Sequence, residues 1–192
     1  MIKTHVTALI IACSATTAFG QAFGIERGKA IDDLSVNSDM GNGLFTVSVP
    51  SPHPEFEDYV VKAVPEIGVC LVRGIGKNHT NDRYGASVRS AFADLKDALD
   101  QRYGDSEVID HLKSGALWDE ENEWVMSIHQ NERYFQAAWD EESGSDLPSG
   151  LDEILMVVKT TSSDTAWIGL QYRFDNEQDC SDVIAQESQS GL

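Results

Sequence analysis

Between Ile67 and Asp82 the chain reads IGVCLVRGIGKNHTND, and three kinds of chemistry are suggested there. Gly74, Gly76 and Lys77 resemble a phosphate-cradling turn, Cys70 is a potential nucleophile, and His79 with Asp82 could begin a metal site. A phosphate loop needs Gly, four residues, then Gly-Lys-Ser/Thr opening onto a helix. Here Leu71 stands five before Gly76 and Asn78 follows Lys77. The two glycines therefore read as the end of a strand whose backbone passes close to another element. Past the leader, His53, His79, His111 and His129 show no pair at two, three or four residues, and neither His-Glu-x-x-His nor an EF-hand loop occurs. The densest oxygen set is Asp119, Glu120, Glu121 and Glu123, a weak calcium candidate. Without a glycine to wrap the loop around an ion, it reads as a solvated acidic turn, and no metal is assigned.

Enzyme signatures are equally sparse. No Gly-x-Ser-x-Gly elbow occurs, and a glycosidase pair of carboxylates cannot be selected by sequence from 32 acidic residues. Trp118, Trp124 and Trp139 lie near acids, as sugar-stacking tryptophans do, but their placement fits core or sheet-face positions. No catalytic residue and no cofactor is assigned.

The amino terminus explains the cysteines. Lys3 precedes an apolar, small-residue run too short to span a bilayer, so residues 1–22 read as a secretory signal cleaved after Gly20 or Ala22. An alternative uses Ile10–Cys13 as a lipoprotein processing box, which would anchor the protein through a lipid on Cys13. Either way the location is extracytoplasmic, periplasmic or secreted, and the chain after the leader has no transmembrane segment. It carries two cysteines, Cys70 and Cys180, and an oxidising compartment favours their pairing. Such a bond closes a loop of about 110 residues, worth about 4 to 5 kcal/mol by chain entropy.

Charge narrows the partners. The chain has 14 basic and 32 acidic residues, formally −18, and losing Lys3 with the leader leaves 13 against 32, or −19. That field repels nucleic acid and anionic lipid surfaces and attracts cations. A solvated acidic surface explains it, and a cationic protein or peptide is the partner it would suit.

The elements follow from hydrophobic period. Phe23–Leu34 reads as a short strand and a one-turn helix, Leu44–Val49 as a strand, and Asp58–Gly76 as a hairpin turning at Pro65. Val88, Phe92, Leu95 and Leu99 recur at helical spacing before Gly104. Ser106–Gly115 is expected to be a second helix, followed by strands at Glu123–Gln130, Arg133–Asp140, Glu153–Thr161 and Ala166–Asp175. In the last, Ala166, Ile168, Leu170, Tyr172 and Phe174 face one way and Trp167, Gln171 and Arg173 the other. The expected architecture is α+β, a largely antiparallel sheet with a two-helix segment packed on one face. Residues 23–182 form a single domain, and 183–192 a polar, disordered tail.

The stretches Phe56–Cys70, Gly115–Trp124 and Tyr172–Cys180 resemble features of uncharacterised exported bacterial proteins of similar length, a likeness that implies no activity. Glu26–Leu34 is similar to the turn-helix opening of outer-membrane assembly lipoproteins, over too short a span to imply a function. The reading is an exported, disulfide-clipped, non-catalytic binding or interaction domain. A carboxylate-based extracytoplasmic hydrolase and a calcium- or sugar-binding module are the alternatives.

Overall fold

The structure is a computed structural model, and it describes residues 20–190. A small hairpin, β1 (Gln21–Ala22) and β2 (Ile25–Glu26), leads into a 3₁₀ turn at Ile31–Asp33. Four strands follow: β3 (Ser35–Gly41), β4 (Leu44–Ser48), β5 (Phe56–Val64) and β6 (Gly68–Gly76). Next come α1 (Ala86–Tyr103), β7 (Glu107–Leu112), a 3₁₀ turn at Glu121–Glu123 and α2 (Trp124–His129). β8 (Arg133–Trp139), β9 (Leu151–Ser162), β10 (Thr165–Phe174) and α3 (Glu177–Ser190) complete the chain.

Eight strands form one antiparallel sheet in the order β3-β4-β5-β6-β10-β9-β8-β7. Each half is a meander of sequential neighbours, and the halves join where β6 pairs with β10. α1 carries the chain from the sheet's centre to its far edge, so the two meanders grow toward each other.

Period-two alternation decides which face is closed. Ala166, Ile168, Leu170, Tyr172 and Phe174 of β10 are all buried, as are Ile154, Met156 and Val158 of β9. These meet Val88, Phe92, Leu95, Leu99 and Tyr103 of α1 and Trp124, Val125 and Ile128 of α2 in one core. At about 1.5 to 3 kcal/mol for each large apolar side chain buried, this face dominates the folding energy. Trp139, fully buried, satisfies its indole N–H on Asp100 Oδ1 at 3.0 Å and the carbonyl of Gly104 at 3.1 Å. Trp124 packs edge-on to Phe135, so both tryptophans serve the core.

Gly74 and Gly76 lie inside β6 and allow the close approach expected of them. A Cβ at Gly74 would come 2.8 Å from the Phe56 ring, and one at Gly76 would come 2.6 Å from the Ile168 carbonyl oxygen.

Several expectations need correction. Ser106–Gly115 holds β7, not a helix: Val108 and Ile109 sit on an exposed edge strand, so helical spacing among them reflects no buried stripe. The run expected as a strand at Glu123–Gln130 is α2, whose Trp124, Val125 and Ile128 press on β8 and β9 from one side of a helix. The pair of helices on the closed face is thus α1 and α2. The polar tail also folds, because Val183 and Ile184 pack on Val64 and the Cys70–Cys180 pair, extending α3 to Ser190. Of the leader read at 1–22, residues 1–19 lie outside the described residues, as does Cys13. Gln21 and Ala22 belong to the folded unit as β1, with Ala22 buried, so cleavage after Gly20 keeps that strand and cleavage after Ala22 removes it.

Cys70 and Cys180 form the disulfide, with Cα atoms 6.5 Å apart across 110 residues. A bulge opposite Lys62–Ala63 takes Cys70 out of the strand alternation, and its side chain joins Val64 and Cys180 in a small second cluster. Replacing both cysteines with alanine is expected to lower the unfolding free energy by about 4 to 5 kcal/mol in urea titration. The near-ultraviolet dichroism of Trp124 and Trp139 should persist, since neither touches the bond.

Candidate functional site

The second face of the sheet is covered only at one end. Strand pairing sets its rows: Thr46, Val60, Arg73, Gln171, Leu155 and Ala138 lie side by side across six strands. A neighbouring row runs through Leu44, Lys62, Leu71, Arg173 and Glu153. α3 lies across the end of this face nearest the disulfide, and between helix and sheet opens a cleft of about 600 Å³. Leu44, Lys62, Leu71, Arg73, Gln171 and Arg173 line it from the sheet, and Glu177, Ser181 and Ile184 from α3. A second cavity of about 690 Å³ adjoins it over β3, β4 and β5, sharing Leu44 and Arg73 and adding Met40, Val49, Val60 and Ile75. The two together form a trough on the open face, apolar at one end and basic beneath α3.

The basic residues of the trough differ in their engagement. Lys62 Nζ donates to Glu177 Oε1 at 2.7 Å and to Ser181 Oγ at 2.6 Å, fastening α3 beside the disulfide. The Lys62 ammonium holds the Glu177 carboxyl below its ordinary 4.5, outweighing the partial burial that works the other way, with Ser181 assisting. Arg173 is committed to Asp152 at 2.8 Å and Glu153 at 3.3 Å. Arg73 pairs with no carboxylate among the described residues. Its Nε and Nη2 both donate to Gln171 Oε1, leaving the guanidinium exposed over the trough.

His79 sits elsewhere and does other work. Its ring is buried between Glu55 and Ser87, Nε2 lying 2.7 Å from Glu55 Oε1 and Nδ1 2.7 Å from Ser87 Oγ, with Lys77 Nζ 3.1 Å from Glu55 Oε2. With Nε2 donating to the Glu55 carboxylate and Nδ1 accepting from the Ser87 hydroxyl, the three side chains would have the polarity of a nucleophile-base-carboxylate relay. Two features argue against acyl transfer. The N–H groups of Ser87 and Val88, which open α1 and would stabilise an oxyanion, already donate to Asp82 Oδ2 at 2.9 and 3.1 Å. Ser87 also lines none of the clefts described here. The relay instead pins the crossing from β6 to α1, together with the backbone pair between His79 and Ala166.

The acidic run is not gathered around a point. Glu120 and Glu123 form a capping box for the 3₁₀ turn, and among the described residues no three His, Cys, Asp or Glu side chains converge as metal ligands. Asp119, Glu120 and Glu121 instead border a shallow cleft of about 440 Å³ with Asp110, Tyr84 and Trp124. Of the residues that build the trough, Gln171 and Arg173 are assigned by alternation to the polar face; Lys62, Arg73 and Glu177 carry no motif, and only pairing with β10 and α3 collects them.

The chain matches no protein-family model, no curated protein and no solved structure. Among the described residues no helix is long and apolar enough to cross a membrane.

Because the folded-state pKa of Glu177 is depressed, its contribution is complete above the ordinary carboxylate range and is lost as pH falls through the lowered value. Amide exchange in α3 is therefore expected to accelerate relative to the β9–β10 core as pH falls below the ordinary carboxylate range and through that lowered value. The Lys62→Met variant should lose most of that pH dependence; if it titrates like wild type, the Lys62 tether is not its source.

Proposed function

We propose that the protein is an extracytoplasmic binding domain that holds its ligand in the trough on the open sheet face. One observation carries this reading: the sheet is sealed on one side by α1, α2 and the amino-terminal hairpin, yet on the other side α3 covers one end and leaves lined cavities of about 600 and 690 Å³. Volumes of this size, with apolar walls and a few placed polar groups, are those of small-ligand sites. The Cys70–Cys180 disulfide accords with the extracytoplasmic location, and at Ser87 the N–H groups that an oxyanion would need are already taken by Asp82. A hydrolase using carboxylates has less support, since Glu177, Asp152 and Glu153 at the α3 end are engaged by basic partners and only Glu57 and Asp58 border the other chamber.

The test uses the neutral dye Nile red. Saturable fluorescence enhancement is expected with the native protein, and Val60→Trp or Ile75→Trp, which fill the apolar chamber, should weaken it about tenfold while the melting temperature stays near wild type. Undiminished binding in both folded variants overturns the reading.

A second reading is favoured by the cleft at Asp119, Glu120 and Glu121, which Arg89 and the Asp110–Arg133 ion pair also line, beside Tyr84 at 57% exposure and close in sequence to Leu117 at 81%. Acids flanked by uncovered apolar side chains suit a cationic peptide carrying apolar residues. A labelled lysine-leucine peptide should bind at low ionic strength, be released by high salt, and bind several-fold more weakly to Glu120→Gln/Glu121→Gln. Salt-insensitive binding, or none, removes this reading.

A further inference from the structure

We infer that the trough takes an amphiphile with a single anionic head, carboxylate or phosphate, received by Arg73 as Gln171 orients it, with its apolar chain along Met40, Leu44, Val60 and Ile75. This rests on the trough being the binding site and adds the chemistry of its ligand.

Arg73 is paired differently from the other basic residues of the trough. Among the described residues Arg89 and Arg102 also lack a carboxylate partner, but each lies over an aromatic ring. Lys62 and Arg173 in the same cleft each have one, and Arg173 has two. Arg73, where the two chambers meet, faces the neutral amide of Gln171 instead. Gln171 Oε1 accepts from Nε and Nη2, which fixes the plane of the guanidinium, and among the described residues Nη1 and the second N–H of Nη2 meet no protein acceptor. The Nη1–Nη2 edge is therefore the one presented to a ligand. Its two parallel N–H donors, on a group of full charge, fit the two oxygens of a carboxylate or phosphate.

The apolar half of the ligand is set by the adjoining chamber. Met40 is 57% exposed and Val60 and Ile75 are half-buried, so apolar surface lies uncovered within reach of Arg73. Glu57 and Asp58 also border that chamber and disfavour placing the charged head there. Head and chain are thus assigned to opposite ends. The overall charge of −18 does not defeat this arrangement, because remote carboxylates are screened beyond a Debye length of about 8 Å, whereas Arg73 acts at contact. A polyanion would span many such lengths and be repelled, which restricts the ligand to one head group.

The experiment titrates the oxidised protein with decanoate, decyl phosphate and decyltrimethylammonium by calorimetry, alongside Nile red. Both anions are expected to bind at least tenfold more tightly than the cation, and the stronger of the two identifies the head group as carboxylate or phosphate. Gln171→Glu, which gives Arg73 an internal carboxylate without changing side-chain size, should reduce anion affinity about tenfold or more and Nile red affinity by a much smaller factor. Arg73→Gln should likewise weaken the anions far more than the dye, and Arg73→Lys should restore part of the anion affinity. Equal binding of anion and cation, or unaltered anion affinity in Gln171→Glu, sinks the head-group assignment while intact Nile red binding preserves the trough. Failure of every probe, the dye included, sinks both.

Discussion

The bond between Cys70 and Cys180 joins the second strand of a hairpin to a helix that begins 109 residues after β6 starts at Gly68 and ends at Ser190, and the form of the open face depends on it. α3 has few apolar residues with which to hold itself down: Val183 and Ile184 pack on the small cluster of Val64, Cys70 and Cys180. Burial of that size is weak against the entropy of fixing a helix. The covalent link, the Lys62 bonds to Glu177 and Ser181 and the Asn176 bond to the Val69 carbonyl at 3.2 Å are what keep it across the sheet. Without α3 there, the basic cleft would have a floor and no wall.

The contrast between the two faces has a simple physical origin. The closed face gathers β-branched and aromatic residues from both meanders and buries them under two helices, and so supplies most of the stability. The open face is freed from that duty. Its rows mix Thr46, Val60, Arg73, Gln171 and Leu155, a composition that neither demands a cover nor behaves as ordinary solvated surface. Polar groups are used where helix packing leaves gaps. Glu55, His79 and Ser87 bind the end of β6 to the start of α1, and Asp82 supplies the first-turn donors of α1 with an acceptor. The geometry at His79 resembles a catalytic relay because both uses need the same thing, an imidazole with each nitrogen satisfied and the tautomer fixed.

Much of the fold was legible where burial and periodicity coincide. β10 reads correctly because every second residue meets the core, and α1 because Val88, Phe92, Leu95 and Leu99 form one buried stripe. Legibility failed where that coupling is absent. β7 lies exposed at the sheet's edge, so Val108, Ile109 and Leu112 report no periodicity imposed by packing. β3 is exposed along its whole length and offers no alternation to read. α2 is a short helix whose Trp124, Val125 and Ile128 resemble a strand's apolar run. α3 looks polar because the disulfide and Lys62 supply much of what an apolar stripe would otherwise provide.

By itself the sequence determined the acidic balance, the disulfide pair, the α+β class and the residues of the closed face, since each depends on residue type or local period alone. Tertiary structure decided the site. Lys62, Arg73, Gln171 and Glu177 are spread over 115 residues of chain, and no spacing links them. They meet because β6 pairs with β10 across the centre of the sheet and a bulge turns Cys70 toward the helix that covers its end. Strand register and a cross-link between distant residues are global quantities, and they set which charges find partners and which, like Arg73, do not.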